Sequence, residues 1–180
     1  MVNLNITLNN VLDAQVQGII LTIDGSAAGM EGNIARAFAR RWPDVWEEIE
    51  DELTFPVASG SVFEHEPSSN CPFDMIMLAS TLVHHGDITE ARRFSVVAEA
   101  LENALRLAHS YEIQSLATAV MTGGWRLPLQ RAFMAMMQGI DTASRQGFRQ
   151  TVEICIPDKA HYEQIRHLAS SLGYSGGGYL

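Results

Sequence analysis

Short apolar runs alternate with helical repeats along almost the whole chain, and that alternation restricts the fold more than any other feature. Residues 18–23, Gly-Ile-Ile-Leu-Thr-Ile, form a near-continuous β-rich run, the pattern of a strand buried on both faces of a parallel sheet. Residues 74–80 and 113–120 are similar runs. Residues 3–8 and 149–156 alternate apolar with polar, the period of a half-buried strand. Residues 57–66 read as a further strand with Gly60 inside it. Between these runs the spacing predicts helices. One spans 30–41, with Ile34, Ala37 and Phe38 on a face. A second follows Pro43, turning Val45, Trp46, Ile49 and Leu53 inward and Glu47, Glu48, Glu50, Asp51 and Glu52 outward as a solvated face. Thr89 can cap a long helix to about His109, with Phe94, Val97, Leu101, Leu105 and Ala108 inside. Another runs over 129–140, and a last one opens at Asp158 with Tyr162, Ile165, Leu168, Ala169 and Leu172 on one face. The expected fold is an α/β sandwich around a mostly parallel sheet. One domain covers 1–172, and a flexible glycine-rich tail covers 173–180.

Sheets of this kind take ligands at the carboxyl ends of their strands, and two glycine-bearing loops fall there. The second, Met121-Thr122-Gly123-Gly124-Trp125-Arg126-Leu127-Pro128, joins a strand to a helix with Pro128 in its first turn, where a missing N–H costs nothing. Glycine allows close backbone approach to a ligand, and a helix start presents free N–H groups to an anion. Two readings stand: a phosphate cradle under an aromatic lid, or an ordinary tight connection.

The balance of charge narrows the partners. Formal net charge is −9, which argues against nonspecific binding to nucleic acid or an anionic membrane. Lys159 is the single lysine, so an anionic ligand would rest mainly on backbone N–H groups and a few arginines. Cys71 and Cys155 make no disulfide framework. No apolar run approaches a membrane span and no signal peptide is evident, so a cytoplasmic setting is the simplest expectation. No cofactor is expected. Adjacent His84 and His85 with Asp87 invite a metal reading, but neighbouring strand residues face opposite ways, and no metal site is expected.

The order of these loops resembles the macro domain family. Residues 18–37 resemble that family's first ligand loop, with Gly32, Ile34 and Ala37 matching its Gly-x-Ile-x-x-Ala helix start. Thr122-Gly123-Gly124-Trp125-Arg126-Leu127-Pro128 resembles its second, Thr-Gly-x-aromatic-x-x-Pro. The resemblance covers about residues 6–156. It implies a three-layer α/β sandwich with a mixed, mostly parallel central sheet. It also implies ADP-ribose or a related nucleotide as ligand, the diphosphate lying between the loops. The ligand residues would be Asn10, Val11, Gly25, Ser26, Gly29, Gly32, Asn33, Thr122, Gly123, Gly124, Trp125 and Arg126. Some family members hydrolyse ADP-ribose derivatives. This chain departs from the pattern where that chemistry sits. Thr22-Ile23-Asp24-Gly25 replaces the usual Asn-Ala-Ala-Asn, and the loop before Gly32 is shorter and lacks the triple glycine. Asn9-Asn10-Val11 stands where the family has Gly-Asp-Ile.

Each candidate side chain has two readings. Trp125 covers a sugar or base, or packs on the sheet edge. Arg126 reaches a phosphate, or makes a surface ion pair. Asp24 is a general base or ribose contact, or turns the chain beside Gly25. Glu31 complements a helix start, which would weaken anion binding there. Three functions follow: a nucleotide-binding module without efficient catalysis, a diverged ADP-ribosyl hydrolase using Asp24, or a degenerate cleft on a fold kept for protein interaction.

Overall fold

The computed structural model describes residues 1–29, 31–82, 88–124 and 126–174. The element order is β1 (Asn3–Thr7), β2 (Gly18–Asp24), α1 (Asn33–Arg41), α2 (Pro43–Glu52), β3 (Val62–His65), β4 (Met75–Leu82), α3 (Glu90–Ser110), β5 (Ser115–Thr118), α4 (Leu129–Arg145), β6 (Thr151–Cys155) and α5 (Lys159–Ser171). The strands form one sheet in the order β1-β6-β5-β2-β4-β3. All neighbours are parallel except β3, which runs antiparallel to β4. The sheet is therefore mixed and mostly parallel, and the fold is α/β.

Strand residues sort the two faces by parity. Met75, Met77 and Ala79 of β4 pack with α3, α4 and α5 in one core. Ile76 and Leu78 of the same strand pack with Phe38 of α1 and with Val45, Trp46 and Ile49 of α2 in the other. This gives three layers. All eight residues of β4 are buried, which explains why its sequence runs apolar without alternation. The α3–α4 contact depends on small residues. A Cβ on Gly139 of α4 would lie 2.6 Å from the Ala98 carbonyl oxygen of α3.

Thr89 caps α3 as its sequence suggests, accepting the Arg92 N–H at 3.2 Å, and Asp158 caps α5 through the His161 N–H. Several expectations need correction. Gly60 lies before β3, not inside a strand, because its φ of +83° belongs to a turn. β5 ends at Thr118 and does not continue to Val120. α1 begins at Asn33. Leu172 is 45% exposed and leaves the α5 core face. Of the tail, Gly173 and Tyr174 are described, and the Tyr174 hydroxyl donates to Asp141 Oδ1 at 2.7 Å. His84, His85 and Asp87 lie outside the described residues.

Nor is the α2 outer face simply solvated. Glu48 accepts the Ser68 and Ser69 N–H groups, each at 2.8 Å, and the Ser68 hydroxyl. Its Oε2 also meets Nε2 of buried His65 at 3.0 Å, while Glu52 meets Nδ1 at 3.1 Å. The helix thereby holds the edge strand and the loop after it. Hydrogen bonds from Ser69 and then Ser68 pull the Glu48 pKa from 4.5 down to about 2.

Two outcomes follow. Gly139→Ala should lower the melting temperature despite alanine's better helix propensity. Overpacking against Ala98 costs about 1–3 kcal/mol, against a propensity gain of about 1 kcal/mol; thermal unfolding checks it. The depressed Glu48 pKa adds stability above pH 4.5 that disappears as pH falls toward 2. The melting-temperature gap between wild type and Glu48→Gln should be widest near neutral pH and close across that window.

Candidate functional site

A gap in strand pairing opens the site. β5 pairs with β2 only as far as Ile20↔Thr118. Beyond that point β2 continues with β4 to Asp24↔Leu82, and β5 turns into Ala119 and Val120. A cleft of about 430 Å³ occupies the divergence at the carboxyl ends of the strands. Thr22 of β2, Ala119, Val120 and Cys155 of β6 line it from the sheet. Gly32, Asn33 and Ile34 come from the start of α1, Thr122, Gly123 and Gly124 from the second loop, and Leu129 from α4. Leu82, Ile156, Pro157, Asp158 and His161 complete the wall. A wider groove of about 700 Å³ lies at the other end of the sheet, between β1, the end of α4 and Tyr174. Among the described residues, neither glycine loop lines it.

The cleft walls are mostly apolar, and the described residues lining them include no lysine or arginine. The groups in the wall that could meet an anion belong to the backbone. α1 starts at Gly32 with no side-chain cap and no acid in its first turn. α4 starts after Pro128 with neither. Both helix starts therefore keep N–H groups available to an anion. α5 differs, because Asp158 Oδ1 already accepts the His161 N–H at 2.8 Å. Between the two open helix starts lie Gly123 and Gly124, with φ of +61° and +67°. Only glycine takes two such residues in succession without strain.

At the cleft floor, burial pushes the Cys155 thiol up to about 12. It is a neutral wall group, set 3.7 Å from the Thr7 hydroxyl and 3.5 Å from Glu153 Oε1, and not a thiolate nucleophile. Among the described residues, no group of three or more His, Cys, Asp or Glu side chains could hold a metal ion. Among them, too, no helix is long and apolar enough to cross a membrane.

The structure brings together Gly32, Asn33, Thr122, Gly123 and Gly124 of the sequence candidates. The other described candidates do not line the cleft. Asp24 is 2% exposed, and its Oδ1 accepts the Ser26 N–H at 2.8 Å, closing a turn. Gly25 is buried where a Cβ would collide with the Val57 carbonyl and the Ser80 hydroxyl, so close packing is what requires glycine there. Ser26 and Gly29 are exposed on the loop. The Asn10 side-chain oxygen accepts the Leu12 N–H at 3.0 Å, capping a 3-10 turn, and Val11 is buried in the core. Arg126 is exposed, and Trp125 lies outside the described residues. Sequence reasoning missed Thr22, Cys155, Ile156, Pro157, Asp158 and His161. Their shared signal is position, at or just after the carboxyl end of a strand, which becomes meaningful only once the strand order is known.

The sequence matches no protein-family model and no curated protein. Solved structures do match. The Oceanobacillus iheyensis macrodomain, as a glycine-to-valine mutant with ADPR, aligns with a TM-score of 0.75 at 16% identity, over 94% of this chain and 93% of that one. The macrodomain of Thermus aquaticus DarG aligns at 0.64 and 19% identity, over 86% and 98%. This chain has the macrodomain fold. An alphavirus P23pro-zbd structure also contains it, with a TM-score of 0.72 at 18% identity over 97% of this chain. The present chain spans only 24% of that longer protein. With identities this low, the likeness is one of fold, and the sequence is a divergent instance of it.

Gly124 tests the macrodomain cleft directly. Its positive φ means that Gly124→Ala and Gly124→Glu both carry backbone strain of about 1 kcal/mol or more. Equal melting losses are expected in the two variants, and any anionic ligand resting on this loop should lose affinity only in Gly124→Glu, where a carboxylate is added. Wild-type affinity in Gly124→Glu would remove the second loop from the ligand site.

Proposed function

We propose that the cleft binds ADP-ribose or a related nucleoside diphosphate, without efficient catalysis. The observation that carries this reading is the convergence of two uncapped helix starts and a positive-φ glycine pair on one apolar-walled cleft. Backbone N–H groups can hold a diphosphate without a cationic side chain. The apolar walls suit the faces of a base and sugars. The presence of ADPR in the Oceanobacillus iheyensis macrodomain supports the same class of ligand. Of the sequence candidates, Gly32, Asn33, Thr122, Gly123 and Gly124 are the proposed contacts, joined by Thr22, Ile156 and Pro157 as walls.

The placement of Asp24 speaks against the hydrolase reading. A general base must come within hydrogen-bond reach of the water it activates, and Asp24 is buried, with its Oδ1 accepting the Ser26 N–H, and is not among the residues lining the cleft. The open cleft also favours ligand binding over a fold kept only for protein interaction, which would leave the site free to fill with side chains.

Titration calorimetry with ADP-ribose, ADP, NAD and ribose phosphate tests the binding reading. Heat with the diphosphates and none with ribose phosphate is the expected result. No heat with any of them at high micromolar protein would reject it. Incubation with ADP-ribosylated protein should give no turnover above buffer, and Asp24→Ala should leave ADP-ribose affinity unchanged in whatever fraction stays folded.

A further inference from the structure

Loop one carries an anion of its own. Glu31 immediately precedes Gly32, the uncapped start of α1, and its Oε1 accepts the Gly29 N–H at 2.9 Å. Its backbone bridges to Ile23 of β2, the neighbour of Thr22 in the cleft wall. Gly29 has a φ of +81° and nothing within 4 Å of the position a Cβ would take. Its N–H is therefore held by a carboxylate at open surface. Gly32, Asn33 and Ile34 line the cleft, so the Glu31 charge is carried on the residue next to the cleft wall, and charges within about one Debye length, roughly 8 Å, interact through solvent without full screening. A carboxylate so close to a helix start draws on the same N-terminal dipole that a ligand phosphate would use. The described residues lining the cleft include no lysine or arginine to offset it.

Resting on the nucleotide-binding reading, we propose that Glu31 sets the charge preference of the cleft. Its carboxylate, held by the Gly29 N–H on the residue next to the cleft wall, disfavours each further negative charge brought to the α1 end. The cleft accordingly takes the less charged nucleotides of its class and discriminates against those with additional phosphates. The residue acts by repulsion, a common source of selectivity in binding sites.

Glu31→Gln separates charge from hydrogen bonding, because the amide oxygen can still accept the Gly29 N–H. Glu31→Ala is a second neutral variant. Calorimetry compares ADP-ribose, ADP, ATP and, as an uncharged control, adenosine. Both variants should bind ADP-ribose and ADP about two- to fivefold more tightly than wild type, the range expected for one screened like-charge contact. The gain should be larger for ATP, absent for adenosine, and smaller at high salt. Equal ADP-ribose affinity in wild type and Glu31→Gln would overturn the proposal while leaving the binding reading intact. Weaker binding in Glu31→Gln would make Glu31 a favourable contact and overturn it as well. Equal tightening of adenosine would point to a loop effect and also reject it. If neither wild type nor the variants bind any diphosphate, the binding reading falls and this proposal falls with it.

Discussion

The pairing of β2 governs the rest of the molecule. For its first three residues β2 is hydrogen-bonded on both sides, to β4 and to β5. After Ile20 it keeps β4 and loses β5. A strand end in the middle of a sheet must satisfy its backbone groups in another way or leave them accessible, and here the freed space is the cleft. The two helix starts that face it belong to chain segments leaving β2 and β5, the strands that part. Topology thus places both glycine loops at one point, although nearly a hundred residues separate them in sequence.

Packing below the cleft fixes that geometry. Leu21, Ile23, Ile76 and Leu78 are fully buried in the core with α1 and α2, and Met77 and Ala79 in the core with Leu101 and Ala104 of α3. Gly18 sits where a Cβ would approach Leu116 to 2.6 Å, bringing β2 and β5 close at the end opposite the cleft. The strands are therefore tight at one end and parted at the other. Rigid, close-packed layers hold such an opening without a mobile element.

Charge is distributed in keeping with this arrangement. The acidic side chains of α2 tie down an edge strand through His65 and a loop through Ser68 and Ser69, on the far flank of the sheet. At the cleft, the groups proposed to meet an anion are backbone N–H groups and not cations, in a protein with one lysine. An anion site built from N–H groups has fixed direction and no side-chain entropy to lose. It is also easily opposed by a single nearby carboxylate, which is the role proposed for Glu31.

The sequence by itself determined the layered α/β class, the caps at Thr89 and Asp158 and most element positions, because periodicity and capping are local properties of a chain. It also singled out Gly32, Asn33 and Thr122 to Gly124, where glycines coincide with helix starts. It did not show that the glycine at 25 answers to Val57 and Ser80 across the fold, or that the Asn10 oxygen is taken by Leu12. It gave no sign that Cys155, Pro157 and His161 share a cavity with Thr22. Those facts depend on strand order, on which strand parts from which, and on the face each residue presents. These are long-range choices made by packing the whole sheet at once, and only the tertiary structure decided them.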